Sequence, residues 1–244
     1  MNIGVIFAGG SGQRMHAKDK PKQFLMIHGK PIIIHTIEHF EAHEEIDGII
    51  VVCIEEWIPY MKELQYRYRL NKIQEIVPGG RTGQLSIING LEAAARNNGV
   101  DGTIVLIHDG VRPLINKRLI SENIRSVREK GTAITCTKAK ETVILVDEND
   151  KVSEIPARSM SRMAQAPQSF WLKDILDIQH RALADGIENA IDSCSLMRKY
   201  GWKLSIVEGP DANIKITTPE DFFVFRALYD AWENQQLEGN MILT

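Results

Sequence analysis

The residues best suited to chemistry lie near the N-terminus, where a glycine-rich turn precedes a series of cations. Gly9, Gly10 and Gly12 place three glycines within four positions. Glycine has no Cβ and can adopt positive φ values, so such a turn lets consecutive amide N–H groups converge on an anion. The cations that follow it are Arg14, Lys18, Lys20 and Lys22. This arrangement predicts a binding site for a triphosphate.

Two well-known phosphate-binding motifs do not fit this turn. The Walker loop ends in Gly-Lys-Ser/Thr, whereas Gly12 is followed by Gln13 and Arg14. The dinucleotide-binding motif requires a third glycine, and Met15 occupies that position. The structural alternative is a plain strand-to-helix turn on an α/β sheet, which the cluster of cations disfavours.

A second candidate site follows the apolar run 103–107, where Asp109 comes directly after His108. In open α/β sheets, ligands bind at the carboxyl ends of the strands. A carboxylate there can hold Mg²⁺ or a hydroxyl group, because it is a hard oxygen donor. The sequence therefore leaves three roles open for Asp109: a contact to ribose, to Mg²⁺ or to an acceptor hydroxyl. The structural alternative is that Asp109 and Arg112 pair to shape the turn, and for Arg112 alone we favour that interpretation.

The elements that must position these residues alternate between short apolar runs and helical patterns. The apolar runs 3–7, 48–54 and 103–107 predict buried strands, residues 73–77 predict a further strand, and helical spacing separates them. This order favours an α/β fold with a mostly parallel twisted sheet flanked by helices. Residues 133–156 instead predict a β-hairpin, too polar to belong to the central sheet.

Composition narrows the class of protein further. The 244 residues fit one sizeable domain, 43% of them are hydrophobic, and the net charge is −3. The cations are dispersed, so we expect no nucleic-acid partner. No run of 18 apolar residues occurs, so we expect no membrane span. Cys53, Cys136 and Cys194 are far apart and lack metal-ligand spacing, which favours a cytoplasmic protein with reduced thiols.

Several motifs together resemble one enzyme family. AGGSGQRM, KPKQFL, HDGVRP, QAPQSF and NIKITTPED occur in this order along nearly the whole chain. They resemble the CTP-dependent cytidylyltransferases that act on polyol phosphates. That family includes the ribitol 5-phosphate enzymes of teichoic-acid synthesis and the 2-C-methyl-D-erythritol 4-phosphate enzymes of isoprenoid synthesis.

The resemblance implies a role for individual residues. The residues that would bind CTP are Phe7, Ala8, Gly9, Gly10, Gly12, Gly80, Arg81, Ser86, Asp109 and Gly110. The residues that would act in catalysis are Arg14, Lys22, Arg158 and Lys215, with Lys215 on a strand edge. Thr142, Arg158 and Lys215 would bind the acceptor, and Asp109 would also hold Mg²⁺. Two positions depart from the family: Gly83 stands where an arginine is usual, and Ala166 replaces a threonine in a turn at 165–170.

The resemblance also implies a Rossmann-like single domain, 1–244, with a projecting β-arm at about 137–157 that reaches across a homodimer. The segments FAGG and IPAR are more similar to the ribitol 5-phosphate branch, so we expect D-ribitol 5-phosphate as the acceptor. The alternative is 2-C-methyl-D-erythritol 4-phosphate, since KYGWKLSIVEG is similar to that branch. Two readings are less favoured: a sugar-1-phosphate nucleotidyltransferase that uses another nucleoside triphosphate, and a catalytically silent nucleotide-binding subunit.

Overall fold

A computed structural model of the chain describes residues 1–8 and 20–233. Its first half comprises β1 (Asn2–Ala8), β2 (Met26–Ile27), β3 (Lys30–Pro31), α1 (Ile32–Glu41), β4 (Gly48–Cys53), α2 (Ile58–Arg67), β5 (Ile73–Pro78), α3 (Gly83–Asn98) and β6 (Ile104–Asp109). Its second half comprises α4 (Lys117–Lys130), β7 (Thr132–Lys138), β8 (Leu145–Val146), β9 (Val152–Glu154), β10 (Arg162–Trp171), α5 (Leu172–Ala184), α6 (Ser193–Lys199), β11 (Ile206–Glu208) and α7 (Pro219–Glu233).

The central sheet has seven strands in the order β11-β7-β10-β6-β1-β4-β5. Strand β10 runs antiparallel to both of its neighbours, and the other pairs are parallel. The middle strands β1, β4 and β6 are almost continuously buried, as expected for parallel strands covered on both faces. The prediction of a mostly parallel α/β fold is confirmed.

Helices pack on both faces of the sheet. On one face, Ile37 and Phe40 of α1 share a core with Ile120 and Ile124 of α4. On the other face, α3 and α5 contribute to a second core. Helix α3 lies close to the sheet because Gly90 has no side chain: a Cβ there would lie 2.7 Å from side-chain atoms of both Val5 and Val52. That close approach places the N-terminus of α3 beside the end of β1.

Three local predictions were wrong. Residues 133–137 belong to β7, inside the central sheet, rather than to an exposed hairpin. Residues 165–170 form part of β10 rather than a turn, and the strand accommodates Pro167 through a register shift between Ala164 and Gln168. Lys215 lies in an irregular segment between β11 and α7, not on a strand.

The hairpin itself is shorter than expected and consists of β8 and β9. It exposes several apolar side chains, which are Ile144, Leu145, Val146, Val152 and Ile155. The single domain and the arm that spans 137–157 stay predictions. Cys53, Cys136 and Cys194 are all free in the structure, and their reduced state in the cell stays a prediction. Among the described helices, none is both long and apolar enough to cross a lipid bilayer.

Candidate active site

The site lies where β1 and β6 end side by side. Phe7 is the register partner of Asp109, so the last residues of both strands meet at one edge of the sheet. A cavity of about 620 Å³ opens at this edge. The predicted site residues in its wall are Phe7, Gly80, Arg81, Ser86, Asp109 and Lys215. This position agrees with the rule that ligands bind at the carboxyl ends of parallel strands.

Asp109 is the centre of a charge cluster. Its Oδ1 accepts a hydrogen bond from Lys215 Nζ at 2.7 Å, and its Oδ2 accepts one from Arg112 Nε at 2.8 Å. Burial raises the pKa of Asp109, but the two cations outweigh burial and hold the pKa well below its usual range. Asp109 is therefore ionised at neutral pH, and Lys215 is held at the cavity wall although its side chain is 43% exposed. The pairing expected between Asp109 and Arg112 is present.

His108 is structural rather than catalytic. Its ring is fully buried, and Nε2 lies 3.2 Å from the carbonyl oxygen of Arg112. A carbonyl only accepts hydrogen bonds, so Nε2 must carry the proton. Burial lowers the pKa of His108 to about 3, which keeps the ring neutral at physiological pH. The ring thus fixes the turn that carries Arg112.

Lys22 begins a single turn of 3-10 helix, Lys22–Phe24, and is not among the described residues of the cavity wall. Its Nζ donates to the carbonyl oxygen of Ile216 at 2.9 Å. The neighbouring Gln23 is buried and its Nε2 donates to the carbonyl oxygen of Ala8 at 2.5 Å, which joins this turn to the end of β1. Gly9, Gly10, Gly12 and Arg14 lie outside the described residues, so their predicted roles stay predictions.

Ser86 shapes the turn before α3. Its Oγ accepts from the amide of Gly80 at 3.0 Å and donates to the carbonyl oxygen of Thr82 at 2.9 Å. Thr82 caps α3 by accepting from the amide of Leu85 at 3.1 Å. At Gly80 a Cβ would lie 2.5 Å from the Cβ of Leu85, so glycine permits this close turn. The predicted contacts of Gly80 and Ser86 with CTP stay predictions.

The two departures from the family also lie at this wall. Gly83 is the first residue of α3, and a Cβ there would meet no atom within 4 Å. Arg81, two residues before Gly83, also lines the cavity, and its guanidinium forms an ion pair with Glu188. Ala166 is buried in the wall, and its carbonyl oxygen accepts a hydrogen bond at 2.7 Å from Asn213 Nδ2. A longer side chain at position 83 therefore has room, whereas position 166 is packed.

The structure does not bring every predicted residue together within one chain. Thr142 and Arg158 are exposed on or beside the arm and are not among the described residues of the cavity wall. Arg158 Nη1 makes a long contact of 3.4 Å with the carbonyl oxygen of Lys140. Ala8 is buried beneath the edge, and Gly110 donates its amide to the carbonyl oxygen of Phe7 at 2.8 Å. Ala8 and Gly110 thus shape the edge of the sheet.

Sequence reasoning missed three polar residues in or next to the wall. Gln168 is buried, and its Oε1 accepts from the amide of Cys194 at 2.9 Å while its Nε2 donates to Asp192 at 3.3 Å. Gln165 lines the cavity, and Asn213 is fully buried behind it. Asp192 itself lines the cavity and caps α6 through the amide of Ser195 at 2.8 Å. The motifs QAPQSF and NIKITTPED contain all three residues, but the sequence assigned no role to any of them.

The fold and this cluster define an α/β protein with a charged cavity at the carboxyl edge of its parallel strands, where folds of this class bind their ligands. Residues 3–230 match the model of the IspD family, described as 2-C-methyl-D-erythritol 4-phosphate cytidylyltransferase, and the chain belongs to this family of cytidylyltransferases. The resemblance predicted from the motifs is thereby confirmed.

Individual members of the family differ in how similar they are to this chain. It is 57% identical over 239 residues to a ribitol-5-phosphate cytidylyltransferase of Streptococcus agalactiae serotype Ia, covering 98% of this chain and 100% of that protein. It is 37% identical to a 2-C-methyl-D-erythritol 4-phosphate cytidylyltransferase of Clostridium botulinum, covering 91% and 95%. The crystal structure of 4-diphosphocytidyl-2C-methyl-D-erythritol synthase from Anaerococcus prevotii matches with a TM-score of 0.81 at 30% identity, covering 94% and 96%.

Proposed function

We propose that this enzyme transfers the cytidylyl group of CTP to D-ribitol 5-phosphate, which yields CDP-ribitol and pyrophosphate. The observation that carries the choice of acceptor is the 57% identity to a ribitol-5-phosphate enzyme over the relative's full length, against 37% to a methylerythritol phosphate enzyme. The motifs FAGG and IPAR favour the same branch. In this proposal the charge cluster at the sheet edge would bind the phosphate that both acceptors carry.

The reaction joins two anions. A phosphate oxygen of the acceptor attacks the α-phosphorus of CTP, a P–O bond forms, and the bond to the β-phosphate oxygen breaks to release pyrophosphate. The acceptor phosphate is already ionised near pH 7, so the step needs no general base. The protein must instead neutralise charge and hold the two reactants in line. Neutral, buried His108 has no proton-transfer role in this mechanism.

The residues divide this work between them. Lys22 and Arg14 would face the triphosphate and stabilise the charge that grows on its equatorial oxygens. Lys215, held at the wall by Asp109, would bind the acceptor phosphate. Arg112 is 11% exposed and keeps Asp109 in place from behind. In this arrangement Asp109, Arg112 and Lys215 would orient the acceptor, and Arg14 and Lys22 would bind the triphosphate of CTP.

Mg²⁺ fits this site through Asp109 together with the phosphates of CTP. Asp109 is a permanent carboxylate, and each of its oxygens keeps a lone pair beyond the one used by Lys215 or Arg112. Proteins often bind Mg²⁺ with one or two carboxylates, substrate phosphates and water. Among the described residues no group of three His, Cys, Asp or Glu side chains could hold a metal ion, so Mg²⁺ here would take its other ligands from the triphosphate and water. The bound ion would neutralise part of the triphosphate charge.

A second copy of the chain would complete the acceptor site. The arm carries exposed apolar side chains, and Thr142 and Arg158 lie on or beside it, away from the cavity of their own chain. An arginine fork suits a phosphate because it can donate two parallel hydrogen bonds. We propose a homodimer in which each arm places these residues over the partner's site. A cytoplasmic location fits a soluble pool of CTP and of polyol phosphate.

The second candidate acceptor is 2-C-methyl-D-erythritol 4-phosphate. The observation that favours it is the description of the matching family model, together with the structural match to the Anaerococcus prevotii enzyme. Both acceptors are polyol phosphates, so the same cations would bind either one.

The test is pyrophosphate release by the purified full-length protein. Separate reactions contain CTP and Mg²⁺ with D-ribitol 5-phosphate, 2-C-methyl-D-erythritol 4-phosphate, glycerol 3-phosphate or no acceptor. We expect release with D-ribitol 5-phosphate, and release only with the methylerythritol compound would overturn the proposal. Replacing CTP by UTP, GTP or ATP tests the sugar-nucleotide alternative, and EDTA should abolish release in a way that added Mg²⁺ restores.

A further inference from the structure

Asn213 joins the two parts of the cavity wall that bear on the acceptor. Its side chain is fully buried. Nδ2 donates to the carbonyl oxygen of Ala166 at 2.7 Å and to Gln165 Oε1 at 3.2 Å, both at the irregular part of β10. The main-chain carbonyl oxygen of Asn213 accepts a hydrogen bond from Arg112 Nη1 at 2.7 Å. One residue thus contacts both the strand that lines the cavity and the arginine that holds Asp109.

The orientation of this amide follows from its partners. The carbonyl oxygen of Ala166 can only accept a hydrogen bond, so the atom beside it must be the nitrogen of Asn213. The opposite atom, Oδ1, is buried without a hydrogen-bond partner among the described residues. A buried unpaired oxygen is unfavourable for folding. Packing alone does not explain an asparagine at this position, whereas the need to donate two hydrogen bonds in different directions does.

The chain beyond Asn213 leads directly to Lys215, whose Nζ contacts Asp109 at 2.7 Å. The next residue, Ile216, is fixed separately, since its amide donates to the carbonyl oxygen of Val111 at 2.9 Å. A shift of Asn213 would therefore displace Lys215 and Arg112 first. Ile216, whose carbonyl oxygen Lys22 contacts, would move less because its amide is held by Val111.

Gly209 supports the same arrangement from the other side. A Cβ at position 209 would lie 2.7 Å from Thr135 Cγ2 and 3.1 Å from Gln165 Oε1. The absence of a side chain leaves room for the amide of Gln165 in the position where Asn213 Nδ2 reaches it. The contact between Gln165 and Asn213 therefore depends on a local fit as well as on one hydrogen bond.

We propose that Asn213 is a positioning residue for the acceptor. It sets the distance between Gln165, which lines the cavity, and Lys215, which would bind the acceptor phosphate. This inference rests on the proposed function. Asn213 contacts neither substrate in this arrangement, and it acts by holding β10 and the segment that carries Lys215 in register.

The experiment compares two buried asparagines. Asn123 is equally buried, and its Nδ2 also donates to two oxygens, those of Leu119 and Thr135, but it is not part of the described cavity wall. Asn213→Ala and Asn123→Ala should both lower the melting temperature. In pyrophosphate-release assays at 20 °C, Asn213→Ala should lower kcat/KM for the acceptor by about 100-fold, mainly through KM. It should leave KM for CTP within about twofold of wild type.

The matched control separates positioning from a loss of folded protein. Asn123→Ala should reduce only the concentration of active enzyme, which lowers apparent kcat and leaves both KM values unchanged. An acceptor KM for Asn213→Ala equal to that of Asn123→Ala would overturn the inference. If Asn213→Ala does not fold, Asn213→Ser, which retains one donor, should show a smaller rise in acceptor KM; an unchanged KM would overturn the inference in the same way. Inactive wild-type protein would instead contradict the proposed function.

Discussion

The two cations that share Asp109 should respond differently to removal, because one is buried and the other is not. The Lys215 side chain is 43% exposed, and the Arg112 side chain is 11% exposed. An exposed ion pair contributes at most about 1 kcal/mol to stability. Lys215→Ala should therefore change the free energy of unfolding by less than about 1 kcal/mol. If Lys215 binds the acceptor phosphate in the transition state, the same variant should lose about 100-fold in kcat/KM.

Arg112→Ala removes two buried contacts at once. The guanidinium donates to Asp109 Oδ2 at 2.8 Å and to the carbonyl oxygen of Asn213 at 2.7 Å. Removing one partner of a buried ion pair typically costs about 3 to 5 kcal/mol. Lys215 still partners Asp109 in this variant, so we expect a loss at the lower end, about 3 kcal/mol in the free energy of unfolding.

The assays are urea unfolding followed by circular dichroism, and pyrophosphate release with CTP and D-ribitol 5-phosphate. Lys173→Ala is the matched control, because Lys173 pairs with Asp101 at 3.2 Å on the surface, outside the described cavity wall. It should be neutral in both assays. Equal stability losses for Lys215→Ala and Arg112→Ala, or full activity of Lys215→Ala, would refute the division of roles argued here.

Three further predictions concern the N-terminal cations, the arm and His108. Arg14→Ala and Lys22→Ala should each lower kcat by roughly 100- to 1000-fold if each removes a transition-state donor, and unchanged turnover in both would contradict the mechanism. Equimolar mixed dimers of Arg158→Ala and Lys22→Ala chains should regain roughly a quarter of wild-type activity, since half of the dimers carry one intact site; no gain over the parents would show that each site is built from one chain. In the folded protein the pKa of buried His108 is about 3, whereas in the unfolded chain a histidine binds a proton below about pH 6.5. The free energy of unfolding should therefore fall as the pH drops from about 6.5 towards 3. Between pH 7 and pH 5 this group should cost about 2 kcal/mol in urea unfolding, and His108→Gln should lose correspondingly less.

The sequence predicted the parts of the fold that depend on local pattern. The buried strands β1, β4 and β6 are visible as apolar runs, and Asp109 was correctly expected at the end of one of them. The more exposed strand β5 was also expected at its place in the chain. Strand β10 was missed because Pro167 and the polar residues around it favour a turn. Only the pairing with β6 and β7 on both sides, with a register shift, makes that stretch a strand. Such a pairing is set by distant segments and leaves no periodic signal.

The segment 213–216 shows the same limit for the candidate site. Its motif led to the expectation of a strand edge at Lys215, yet its carbonyl groups accept hydrogen bonds from side chains elsewhere in the chain. Arg112 donates to Asn213, and Lys22 donates to Ile216. These donors lie 101 and 194 residues away in sequence, so no local pattern could reveal them. Lys215 was found from a motif, whereas the reason for its position came from the structure.

The charge of the described wall explains why the N-terminal cations matter to the mechanism. Arg81 contacts Glu188, and Lys215 and Arg112 share Asp109. Each cation in this part of the wall therefore already faces an anion, and the wall alone offers little net positive charge to a triphosphate. Two anionic substrates can approach each other only if further positive charge is added. The glycine-rich segment with Arg14 follows β1 in sequence, Lys22 donates to the carbonyl oxygen of Ile216 next to Lys215, and Mg²⁺ would arrive with CTP. Asp109 thus holds Lys215 at the acceptor side of the site before substrate binds. In the proposed mechanism, the negative charge of the triphosphate would be neutralised by Lys22, Arg14 and Mg²⁺.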